Sequence, residues 1–150
     1  MPARFSATHE AAAASNLTLI QLQYGALGRR VRLYELEIGS DSAPAEFSGQ
    51  FDVIRGTVVG TGTSISPRAL DPSDNLAEYS LVQGATITGH TKTADSSLLS
   101  IGLHQRQTFR WLSHIRRAII VPGTVGHWVG IECIAHGGTP NINTTIHWES

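Results

Sequence analysis

The chain has 150 residues, with 11 Lys+Arg against 12 Asp+Glu and a formal net charge of -1. That is enough for one domain with a real core, and too little charge for a global field that recruits nucleic acid or anionic membrane. The single cysteine, Cys133, excludes an intrachain disulfide and a cysteine metal cage. A charged fraction of only 15% with 15 glycines suits an all-β protein whose weakly polar surface rests against another subunit.

In chain order, residues 1–15 stand apart from the rest. Ala11 to Ala14 form a helix-prone run that is too short to hold itself together in water. The expectation is an N-terminal arm ordered only against a neighbour, with Ala3, Arg4, Phe5, His9 and Ala12 as candidate contact residues, followed by a single β-sandwich domain over 16–150. No basic region followed by an apolar run opens the chain, and no stretch is long enough to span a bilayer.

Ile20, Leu22 and Tyr24 alternate with Gln21 and Gln23 as a first strand, and Gly25 and Gly28 mark the turn after it. Val31 and Leu33 share one phase while Leu36 and Ile38 share the other, which predicts a bulge near Tyr34 with Arg32, Glu35 and Glu37 toward water. Phe47, Phe51 and Val53 then share a parity, as on a half-buried strand, before Gly56, Gly60 and Gly62 interrupt a β-branched series. Pro67 and Pro72 close that passage as a loop. Tyr79 to Thr88 is β-prone and Gly89 to Ser97 reads as a polar loop.

Leu98 to Leu103 and Thr108 to Leu112 read as two strands, although Leu99, Leu103, Leu112, Ile115 and Ile119 also fit one helical face. Val129, Ile131, Cys133 and Ala135 alternate with polar or small residues, which makes Cys133 a small core residue. Ile142, Thr144, Ile146 and Trp148 repeat the pattern. His136 to Asn141 between them is expected as a hairpin-like connection. Roughly eight strands in a sandwich or jelly roll is the economical architecture.

Several chemical readings fail on their residues. Gly60-Thr61-Gly62 resembles the start of a dinucleotide loop, but Ile65 stands where a third small residue is needed and Pro67 where a helix should begin. The seven histidines include no His-x-His, so metal binding by His104, His127 or His136 has little support. Asp71 and Asp74, with Asp52, lack a calcium-loop register and read as turn formers. No serine sits in a Gly-x-Ser-x-Gly turn, and Arg110 between Phe109 and Trp111 reads as one solvent-facing arginine between core aromatics. No catalytic residue, cofactor or metal is expected.

Taken together, RRVRLYELEIGSDSAPAEFSGQF, RGTVVGTGTSISPRALDPSD, LHQRQTFRW and the ending TTIHWES resemble small virion proteins of tailed bacteriophages, including head cement or decoration proteins. The resemblance covers most of residues 29–150. It implies a jelly-roll-like subunit, a homotrimer on the outer face of the capsid, and the major capsid protein as partner, with no direct nucleic-acid or membrane contact. Such a protein would be made in the host cytoplasm and reside on the virion surface. The alternatives are a tail or spike module binding a receptor or glycan, for which an exposed cluster of Trp111, Trp128 and Trp148 is expected, and a cupin-like metalloenzyme, for which converging histidines are needed.

Overall fold

A computed structural model describes residues 2–25, 29–74, 80–94 and 96–150. Among these residues thirteen strands are laid down in chain order, almost all of them antiparallel neighbours of strands distant in sequence. They are β1 (Arg4–Ala12), β2 (Leu17–Gly25), β3 (Val31–Ser40), β4 (Ser48–Val58), β5 (Thr61–Ile65), β6 (Arg68–Ala69) and β7 (Ser80–Thr88). The remainder are β8 (Thr91–Lys92), β9 (Leu99–His104), β10 (Phe109–Leu112), β11 (Ile119–Val121), β12 (Trp128–His136) and β13 (Asn141–Glu149).

Two sheets result. Sheet I runs β10-β3-β13-β1-β6, with β11 also on β3, and sheet II runs β5-β7-β2-β12-β4-β8, with β9 also on β4. With β5 to β8 set aside as an insertion, and β10 and β11 counted as one strand broken by the 3-10 turn Ile115–Arg117, eight strands remain. Their order is β1-β13-β3-β10/β11 in one sheet and β2-β12-β4-β9 in the other. First pairs with last and second with second-last, so the chain winds between the sheets as a jelly roll, a closed way of limiting exposed strand edges.

The core lies between the sheets. Phe5, Leu33, Leu36, Ile38, Ile142, Ile146 and Trp148 face it from sheet I, and Ile20, Leu22, Phe51, Val53, Ile131 and Cys133 from sheet II. Phe5 and Trp148 pack with ring centroids 5.9 Å apart, and each such aromatic contributes about 1.5–3 kcal/mol by leaving water. Cys133 is fully buried, as its parity indicated, and burial pushes its thiol pKa up, away from nucleophilic reactivity.

The phase switch in β3 has the cause read from the sequence: Leu33 lies opposite Trp148 and Glu35 opposite His147, which leaves Tyr34 as the extra residue of a bulge. The two strands expected at 98–103 and 108–112 are present as β9 and β10, and the helical alternative is absent there. The turn at Gly28 and the strand start at Tyr79 lie outside the described residues.

Four expectations are corrected. The segment read as an arm is strand β1, paired with β13 from Arg4 opposite Glu149 to Ala12 opposite Asn141, with Phe5 and Ala7 in the core. Its alternation, Phe5 and Ala7 inward against Arg4 and Ser6 outward, was masked by the helix propensity of the alanines; a backbone flanked on both sides by partner strands outweighs a few tenths of a kcal/mol per residue. The connection His136 to Asn141 is not a hairpin, because β12 belongs to sheet II and β13 to sheet I. Finally, the polar loop at 89–97 contains β8, and Glu35 is buried instead of facing water.

Candidate interaction surfaces

The outward face of sheet I is open. Its charges form a chain across adjacent strands: the Arg110 guanidinium on β10 bonds the Glu35 carboxylate on β3 and lies 3.3 Å from Glu37, while His147 Nδ1 on β13 lies 3.0 Å from the other Glu35 oxygen. Farther along, Glu149 on β13 pairs with Arg32 on β3 at 3.4 Å and with Arg4 on β1 at 3.7 Å. Burial disfavours the Glu35 charge, but the hydrogen bonds from His147 and Arg110 and their positive charge outweigh it and hold the carboxyl below the ordinary glutamate range. The ring of Tyr34, turned out by the bulge, stacks on His147 at 6.3 Å. At the sheet edge Leu112 is 60% exposed.

The outward face of sheet II is divided. The chain at Gly60 and from His90 to Lys92 lies over the half formed by β2, β12 and the end of β4. Gly60 N–H donates to Gln21 Oε1 at 3.3 Å, His90 approaches the Thr18 hydroxyl at 3.4 Å and packs edge-on against Trp128 at 5.3 Å, and Lys92 bonds the fully buried Glu132. The other half is a shallow groove of about 510 Å3 floored by Gly49 and Gly102, with Gln50, His104 and His136 at its sides. Beyond its chain neighbours, no described residue lies within 4 Å of where a Cβ on Gly102 would project.

The residues singled out from sequence are thus dispersed. His104 and His136 share the groove while His127 lies elsewhere, and no three His, Cys, Asp or Glu side chains converge among the described residues. Asp71 closes a turn, its Oδ1 accepting from Ser73 N–H at 2.9 Å and from its hydroxyl at 2.7 Å; the backbone bond leads in lowering its pKa. Asp74 accepts from the Arg4 amide at 3.2 Å, and Asp52 on β4 accepts from the Ser100 hydroxyl on the neighbouring strand β9. Phe109 and Trp111 pack against the core with Arg110 turned out between them. Trp128 and Trp148 are buried, so the three tryptophans form no exposed cluster. Of the candidate arm residues, Ala3 and Phe5 are core, Arg4 sits on the ionic chain, His9 is half-buried against Gly84, and Ala12 is exposed. The Glu35 cluster was missed; the facing order Glu35, His147 and Arg110 depends on a register that only pairing reveals.

No protein-family model and no curated protein matches the chain. Among solved structures, the chain is similar at a TM-score of 0.31 and 9% identity to a capsid protein deletion mutant in a T=1 subviral particle of Penaeus vannamei nodavirus, covering 97% of this chain and 92% of that one. A KBV activated particle at acidic pH gives a TM-score of 0.32 at 7% identity, over 99% and 68% of the two chains. Likeness at this level does not define a shared fold, and the jelly-roll assignment rests on the strand wiring alone.

Proposed function

We propose that this protein is a virion structural protein, a trimeric decoration subunit that seats on the outer face of an assembled capsid and strengthens it. The sequence resemblance over residues 29–150 motivates the reading, and one structural observation carries it: the outer face of sheet I is a broad, uncovered surface whose charges are already held by one another. A large, pre-ordered surface suits a protein partner better than a small molecule, which favours a concave pocket. Because Glu35 and Glu149 keep their cationic partners when covered, docking leaves no carboxylate there unpaired, the situation that makes buried charge costly. The exposed Leu112 on the edge strand β10 supports self-association. Three copies acting together convert later capsid contacts into intramolecular ones, and binding only the assembled shell favours that shell by mass action.

The test is sedimentation of the purified protein, alone and with heads prepared without it. A trimer that co-sediments with heads to a fixed stoichiometry is expected. Failure to occupy heads would sink the proposal, and binding at the tail tip with inhibition of host adsorption would favour a receptor-binding module. The glycine-floored groove beside Gln50, His104 and His136 is the observation on the side of that second reading, since its polar walls fit a sugar.

A further inference from the structure

A second concavity lies at one mouth of the sandwich, where the ends of β4 and β8 meet the turn between β11 and β12. It encloses about 280 Å3. One side is apolar, from Ile120 and Pro122 with the buried Val129 and Trp128 beneath them; Arg55, His127, Thr57 and Thr93 complete the lining. The turn is held in place by two constraints. Gly126 has φ +88, a conformation that disfavours a side chain, and a Cβ there would run into the Thr57 carbonyl. Trp128 Nε1 donates to the Val58 carbonyl at 2.8 Å, which fixes the ring.

Arg55 and His127 have no carboxylate partner among the described residues, whereas Arg32, Arg110 and Lys92 are each paired with a glutamate. Arg30 and Arg32 lie near the same mouth, where Glu149 pairs with Arg32 and Arg4. Arg30 immediately precedes Val31, which lies opposite Val121 next to the cleft's Pro122, and Arg32 follows it. Glu10, Asp41, Glu46 and Asp52 lie toward the other end of the sandwich, beside the far ends of β1 and β3 and the start of β4.

We infer that this cleft is a carboxylate-binding site, and that it takes a glutamate or aspartate side chain of an acidic peptide segment on a partner protein. A guanidinium offers a planar fork of donors that matches a carboxylate, and the Thr57 and Thr93 hydroxyls with His127 supply further donors. The volume fits one side chain with its neighbour's apolar atoms and is too small for an oligosaccharide. Nucleic acid is the poorer fit, because single-stranded bases need exposed aromatic faces and Trp128 is 1% exposed. The inference does not depend on capsid binding and is tested without heads.

The experiment titrates the full-length protein with a capped peptide carrying one glutamate beside a leucine, with the same peptide carrying glutamine, and with a short single-stranded oligonucleotide. Affinity is read by calorimetry, and the site by the Trp128 indole N–H signal in NMR. The glutamate peptide is expected to bind and shift that signal, and the glutamine peptide to bind at least about tenfold more weakly. Arg55→Gln, at an exposed position, should reproduce that loss, and Arg55→Lys should restore part of it. Equal binding of the two peptides, unchanged affinity in Arg55→Gln, or an oligonucleotide that moves the Trp128 signal at lower concentration than the peptide would each overturn the assignment.

Discussion

The two outward faces of this sandwich each carry a buried glutamate, and they solve the same electrostatic problem differently. Glu35 on sheet I is satisfied by residues on the strands directly beside it, Arg110 and His147, and the face stays open. Glu132 on sheet II is fully buried, holds Lys92 of the covering segment through one oxygen, and leaves its Oε2 without a partner in the described structure. Gln21 Nε2, Gln23 Nε2 and His90 Nδ1 are likewise unpartnered under that cover, the kind of site that ordered water completes. A face stabilised by its own neighbours is free to meet a partner, whereas a face stabilised by an insertion is committed to internal structure.

The largest expected effect tests whether sheet I is self-sufficient. Phe5→Ala removes a fully buried ring beneath the open face and should cost about 3–5 kcal/mol in denaturant unfolding; a loss below about 1 kcal/mol would return the first fifteen residues to the role of a loose arm. Next is the covered face. Lys92→Met strands the Glu132 charge and should cost about 3 kcal/mol, with much of the loss recovered by adding Glu132→Leu; equal destabilisation by the single and double variants would show that the pair does not act as a unit.

On the open face the same operation should be mild. Arg110 is more than half exposed and His147 still holds Glu35, so Arg110→Met should cost only about 1 kcal/mol. A loss as large as that of Lys92→Met would erase the distinction between the faces. Acid sharpens it further. Because the Glu35 carboxyl is held below its unfolded value, its contribution is complete above the ordinary glutamate range and is lost as pH falls through the lower folded value. Stability of the native protein should therefore decline below about pH 4.3, and Glu35→Gln should flatten that decline; identical acid limbs would contradict it.

What the sequence made legible were features carried by local parity. The phase change between Leu33 and Leu36 located the Tyr34 bulge, and the alternation in β12 placed Cys133 in the core. β1 was harder, because Ala7 and Ala11 give a weak inward signal and the alanine run obscured it. The crossing from β12 to β13 was not legible at all, since Gly137, Gly138 and Pro140 serve a tight reversal and a crossing between sheets equally well. The same holds for both glutamate clusters: Lys92 meets Glu132 across 40 residues and Arg110 meets Glu35 across 75, separations at which only strand order decides what touches.

Because β1 is an interior strand, deleting residues 2–12 would remove that strand and its core side chains instead of a tether. The most direct measurement is therefore made with the intact chain. Heads prepared without the protein are reloaded with it and heated while DNA release is followed, beside undecorated heads and heads loaded with a sheet I variant, Glu37→Arg/Thr145→Arg, that places new cations on the open face. The account predicts release at a higher temperature for the native protein at saturating occupancy, and loss of both occupancy and protection for the variant. Full occupancy with no change in release temperature, or equal protection by a variant whose face has been rewritten, would contradict it.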